Sequence, residues 1–102
     1  SDTQQMYEYQ LRIHKRDAKF PLIIVPTYDG GKEPMQVIVF GNTVHCGVYL
    51  NKISTMILQG DRRDFVFINA ATRAVLQNDK SFVDQGITPS NTKIEVEKPL
   101  EI

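Results

Sequence analysis

The sequence predicts an α+β domain of two layers, with one helix lying across a mixed β-sheet. Three observations carry that expectation. Alternating or β-branched apolar runs stand on both sides of the chain's middle. A single stretch of helical period, Cys46 to Ile57, lies between them. The length, 102 residues, is that of one domain, burying roughly 60–65% of its unfolded surface in one modest core.

The elements follow in order. Residues 7–14 alternate strictly: Tyr7, Tyr9, Leu11 and Ile13 share one face, and Glu8, Gln10, Arg12 and His14 share the other. That period of two is a half-buried strand. Lys15–Arg16–Asp17 reads as a charged turn. Phe20 to Tyr28 is apolar and β-branched but bracketed by Pro21 and Pro26. Proline donates nothing to a ladder, so this is a short or edge strand. Asp29–Gly30–Gly31 is a turn, with glycines available for positive φ. Met35 to Phe40 is a strand with Val37, Ile38 and Val39 at its heart.

The period then changes. Asn42 and Thr43 are good N-cap residues. Cys46, Leu50, Ile53 and Ile57 form one helical stripe, widened by Tyr49 and Met56, and Gly60 is the natural residue to stop it. Asp61–Arg62–Arg63–Asp64 is a solvated connection, and Phe65 to Ile68 a strand. Residues 69–86 admit two readings: a helix starting at Asn69–Ala74, or a return into a short strand at Ala74–Val75–Leu76. Ser81 to Gln85 reads as one helical turn closed by Gly86, and Thr88–Pro89–Ser90–Asn91 as a turn. Lys93 to Glu97 alternates, with Ile94 and Val96 inward.

Composition narrows the function classes. Twelve Lys+Arg balance twelve Asp+Glu, so the net charge is zero, which argues against bulk attraction to nucleic acid or to an anionic membrane. No apolar run is long enough to span a bilayer, and Ser1 to Gln5 is polar, without the look of a secretory signal. The single cysteine, Cys46, excludes an intramolecular disulfide and a multi-cysteine zinc site. A reducing, intracellular setting (cytoplasmic or nuclear) is the matching expectation.

The segment Leu76-Gln-Asn-Asp-Lys-Ser81-Phe82-Val-Asp84-Gln-Gly86-Ile87-Thr-Pro-Ser-Asn-Thr92 resembles the ubiquitin-like β-grasp superfamily. In that pattern a short strand ends in Leu. There follow a polar turn, Ser/Thr and an apolar residue, an Asp, and Gly or Asn with Ile before the last strand. Ser81 is placed to cap the turn, Phe82 to plug the core, Gly86 to take positive φ, and Ile87 to re-enter the core. Strand Gln36–Phe40, then Asn42–Thr43–Val44 and a helix reaching Lys52–Ile53, are similar to the superfamily's second strand and helix, so the likeness spans roughly residues 35–97. It implies a β-grasp domain over residues 20–102, one main helix on a mixed four- to five-stranded sheet, preceded by an extension at 1–19 with room for an added strand. Either 7–14 or 20–28 supplies the strand beside the C-terminal one. The residues given end Lys98-Pro-Leu-Glu-Ile102, without the Gly-Gly that conjugation in this superfamily uses, so the expectation is a domain that is not a conjugated modifier. The superfamily's apolar binding patch spans the third and last strands; its counterparts here are Val66, Glu95 and Glu97, a mostly acidic set suited to a basic or mixed-charge partner.

No catalytic constellation is visible. His45 and Cys46 are adjacent, and neighbours on a helix point about 100° apart, so they form no dyad; Cys46 lies on the apolar stripe and reads as a buried structural cysteine. His14, His45 and Cys46 lack metal-ligand spacing, and Phe40–Gly41–Asn42–Thr43 and Asp29–Gly30–Gly31 lack the spacing of phosphate loops. Neither metal nor cofactor is expected. The expectation is a non-catalytic adaptor with a protein partner. Its candidate contact residues are the basic Arg12, Lys15 and Arg16, the apolar Ile23, Ile24 and Val25, and Val66, Glu95 and Glu97. Among these the 20–26 segment is favoured as an open apolar edge, where a partner strand or a second copy of the chain would add. The alternative is a small α+β nucleic-acid-binding domain similar to the Alba family, suggested by the basic group at 12–19; zero net charge and the lack of an aromatic platform weigh against it.

Overall fold

The chain, seen in a computed structural model, is described over residues 1–8 and 19–100. Residues 2–8 form a short exposed helix, α1. Ser1 starts it: its Oγ accepts from the Gln4 amide at 3.3 Å and its carbonyl from the Gln5 amide at 3.0 Å, with Asp2 in the first turn, where a negative charge suits the helix dipole. Tyr7 and Glu8 were expected to open a strand and are helical instead. The rest of that expected strand, with Arg12, Lys15 and Arg16 near it, lies outside the described residues.

The sheet has four strands: β1 (Lys19–Pro26), β2 (Met35–Phe40), β3 (Val66–Asn69) and β4 (Lys93–Glu97), in the order β2-β1-β4-β3. β1 runs antiparallel to β2 and parallel to β4, and β3 antiparallel to β4. The expected open edge at 20–26 is therefore an interior strand, paired on both sides. The two prolines are tolerated because of where their nitrogens point. Ile23 donates its amide to Thr92 O on the β4 side at 3.0 Å. Pro21, two residues earlier, points its nitrogen the same way, ahead of the first β4 residue. Pro26 has the opposite parity and points towards β2 beyond its last paired residue, Met35. Neither proline costs the sheet a hydrogen bond.

Helix α2 (Cys46–Lys52) crosses the sheet and winds on as a π-helical turn, Ile53–Ile57. It begins later than the expected caps Asn42 and Thr43. His45 holds the N-cap position without a side-chain cap bond. The first amides are satisfied from outside: Cys46 N donates to Lys80 O at 2.7 Å and Gly47 N to Asn78 O at 3.0 Å. A Cβ at position 47 would lie 2.7 Å from Asn78 Cβ, so this close approach requires glycine. The π-turn accompanies buried Ser54, whose hydroxyl donates to Leu50 O at 2.7 Å. The left-handed stop falls on Gln59 (φ 61°) rather than on Gly60.

Beyond β3 the chain turns back, as in the second of the two readings for this region. Ile68 and Val75 form an isolated bridge, and Leu76 N donates to Phe67 O at 2.8 Å. The single 3₁₀ turn Val83–Gln85 follows. Its Asp84 amide donates to Ser81 Oγ at 3.1 Å, and Gly86 closes it at φ 80°. Phe82 and Ile87 are fully buried beneath the sheet with Leu22, Ile24, Leu50, Ile94 and Val96. Cys46 is also fully buried; its Sγ donates to Gln77 O at 3.0 Å and accepts from Gln85 Nε2 at 3.3 Å. Burial pushes the thiol pKa up.

Two outcomes follow. Phe82→Ala should destabilise the domain by about 3–5 kcal/mol, the cost of truncating a buried aromatic; a loss below about 1 kcal/mol in chemical denaturation would remove Phe82 as the core's plug. Cys46 should react slowly with a thiol reagent in the native state and fast in denaturant. Rapid labelling of folded protein would place it at the surface.

Candidate functional site

The sheet has one face against α2 and the core and one face turned away. The register assigns every strand residue to one or the other. Leu22, Ile24, Val39, Phe67, Ile94 and Val96 are buried on the inner face. The outer face carries Phe40 and Lys19 at one end, then Ile38 and Pro21, then Gln36, Ile23 and Lys93, then Val25, Glu95 and the buried Ile68, and last Glu97 and Val66. Five of the expected contact residues, Ile23, Val25, Val66, Glu95 and Glu97, thus share this one surface. Ile24 does not: it is fully buried in the core, so it is unavailable to a partner. Arg12, Lys15 and Arg16 lie outside the described residues.

The acidic half of the face is built differently from the sequence expectation. Arg73 bridges both carboxylates: its Nη1 donates to Glu95 Oε2 and its Nη2 to Glu97 Oε1, the latter at 3.3 Å. The turn that delivers Arg73 is fixed by buried Asn69. Asn69 Oδ1 accepts from the Ala71 and Thr72 amides at 3.0 and 3.3 Å, its Nδ2 donates to Gln85 O at 3.0 Å, and its carbonyl accepts from Arg73 N at 2.7 Å. Arg73 takes a left-handed backbone there, φ 67°. The Glu95 hydrogen bond and both acidic charges hold its guanidinium pKa above its ordinary value. One guanidinium thus offsets one of the two carboxylate charges and holds both side chains, so the patch is less acidic than the sequence suggests.

The other half is apolar. Ile38 is 60% exposed in the middle of β2. Pro21 faces it across the ladder and is exposed, and Ile23, Phe40 and Val25 continue the strip half-buried. Two lysines flank it. Lys93 is opposite Ile23 in the β1–β4 register. Lys19 is opposite Phe40, with its Nζ 5.0 Å from that ring's centroid. Among the described residues neither lysine has a carboxylate partner.

Ile38, Pro21, Phe40, Lys93 and Arg73 were absent from the sequence-derived set. A signal existed for Ile38: in Met35–Phe40 the alternation puts Gln36 on its side, which marks that side as solvent-facing. Nothing local marks Arg73, because a turn stabilised by Asn69 brings it to β4. Elsewhere, His45 is exposed while Cys46 is buried, so the two do not share an environment. Among the described residues no helix is long and apolar enough to cross a membrane.

No protein-family model matches the chain, and no curated protein does. Solved structures match. One is the solution structure of the N-terminal ubiquitin-like domain in the 4931431F19Rik protein, at 12% identity, covering 86% of this chain and 82% of that one, with a TM-score of 0.63. At that identity the likeness is one of fold. The β2-β1-β4-β3 sheet, its parallel pairing of first and last strands, and the helix across it agree with that likeness: the chain has the ubiquitin-like β-grasp fold.

Proposed function

We propose that the chain is a non-catalytic interaction domain, an adaptor that binds a protein partner through the open face of its sheet. The observation that carries this reading is Ile38, exposed in mid-strand with Pro21, Ile23 and Phe40 beside it on the same face. Fully covering a side chain of this size is worth roughly 1.5–3 kcal/mol, and the larger part of it is left for a partner, since Ile38 is 60% exposed. A contiguous apolar strip of this kind on a small domain suits an interaction surface. An open sheet face favours a macromolecular surface over a small molecule, since small ligands need concave sites. Its titratable groups among the described residues are Lys19, Lys93, Arg73, Glu95 and Glu97, and the two carboxylates are engaged by Arg73. Among the described residues no nucleophile and base meet on it, as a non-catalytic role requires. A buried free thiol at Cys46 is compatible with an intracellular setting.

Ile38→Asp is the test, because the substitution alters the face and leaves the core intact. Wild-type and Ile38→Asp proteins, each shown to fold by circular dichroism, are used to capture proteins from native lysate, with quantitative mass spectrometry as the readout. At least one protein held by the wild type should be lost by at least tenfold from the variant. Equal capture by both would remove the sheet face as the binding surface.

A further inference from the structure

We infer that the partner segment on this face is acidic and presents an apolar anchor, its carboxylates meeting Lys19 and Lys93 on either side of Ile38 and Pro21. The inference rests on the reading of the face as the interaction surface and adds the chemistry of what covers it.

The argument is one of charge left over. The two acidic groups on the face, Glu95 and Glu97, are both satisfied by Arg73. The two lysines are exposed and, among the described residues, without a carboxylate partner. Arg73 offsets one of the two carboxylate charges, and the two lysines outweigh the one that remains, so among the described residues the balance on the face is positive and its positive part borders the apolar strip. Spacing makes the complement more specific. Lys19 and the level of Lys93 at Ile23 are four residues apart along β1, roughly 13 Å at 3.3 Å per residue. An extended segment with acidic residues about four positions apart and a bulky apolar residue between them would meet both ammonium groups and cover Ile38. A basic segment would meet two uncompensated lysines and find the carboxylates occupied. Nucleic acid fits less well. The exposed anchors are mainly aliphatic, two lysines reach few phosphates, and Glu95 and Glu97 stand on the same face.

The test is a titration of the full chain by ¹⁵N–¹H correlation spectroscopy with defined probes. They are a peptide of Leu-Phe-Leu flanked on both sides by Asp-Glu-Asp, the same core flanked by lysines, the same core flanked by serines, and an oligothymidylate. The acidic peptide should bind most tightly, with the largest shifts at Ile23, Gln36, Ile38 and Lys93. Lys93→Glu and Lys19→Glu should each weaken it about tenfold at low salt, and raised salt should weaken the wild type likewise. The spectra themselves report whether each variant is folded. A lysine-flanked or serine-flanked peptide bound as tightly at the same residues overturns the charge assignment while leaving the interaction face standing. Tighter binding of oligothymidylate there overturns it in favour of nucleic acid. Acidic-peptide shifts that are absent, or that fall on the helix side, overturn it too; the Ile38→Asp capture experiment decides the reading of the face separately.

Discussion

The parallel ladder between β1 and β4 joins the first and last strands of the sheet, and the rest of the domain is arranged around it. Its register, Ile23 with Lys93 through Pro26 with Val96, is not adjustable. A slip of one residue would turn Ile94 and Val96 to solvent and bring Glu95 into the core, a change no side-chain rearrangement could absorb. The same register sets the outer face. It fixes Lys93 beside Ile23 and Glu95 beside Val25, so the surface pattern is a by-product of core burial. Because the two strands are so far apart in sequence, closing this ladder carries a large loop entropy. That cost is met only when the intervening β2, α2, β3 and the return segment add their own burial.

A second set of contacts ties the helix layer to the segment between β3 and β4. Helix α2 has no side-chain cap; the backbone of residues 78–80 takes its first amides. Gln85 gathers the same neighbourhood, donating from Nε2 to Gln77 O at 3.1 Å, to Ser81 O at 3.2 Å and to Cys46 Sγ at 3.3 Å. Asn69 reaches Gln85 O from the other side. Among the described residues no buried side-chain nitrogen or oxygen is left without a partner. Satisfied networks of this kind specify one arrangement, since any displacement strands a polar group in a place water does not reach.

Much of this was legible in the residues. Period alone located β2 and β4, and the Ser81–Phe82–Gly86–Ile87 set behaves in space as its chemistry suggests. What escaped has physical causes. The rule that proline marks an edge misread 20–26, because it considers a strand one residue at a time. The two prolines sit at opposite ends with opposite parity, and each faces a stretch where its neighbour strand is missing. The late helix start was hidden because the groups that replace the cap, Asn78 and Lys80, are more than thirty residues away. Tyr7 and Glu8 alternate like a strand with the residues after them, yet local capping by Ser1 makes them helical. On the outward side of the sheet, Ile23 and Val25 of β1, Val66 of β3 and Glu95 and Glu97 of β4 were legible, while Pro21, Ile38 and Lys93 were not, and the charge balance was missed because Arg73 arrives through a turn.

The Arg73 bridge has little to do with stability. Its side chain is about half exposed, and exposed ion pairs add little to stability. Its consequence is the sign of the surface. Without it, two acidic groups beside Lys93 would give a face of mixed charge with no preference. With it, the carboxylates point their charge at a partner within the same molecule, and the two lysines beside the apolar strip keep theirs for whatever approaches. Ile38 has a parallel status. An exposed mid-strand isoleucine adds little to the core, and a polar residue would satisfy the same backbone; Gln36 on the same side of β2 does so. The features of this face that the fold does not require, an uncovered isoleucine and two lysines without a carboxylate partner among the described residues, are therefore the ones on which the proposed partner rests.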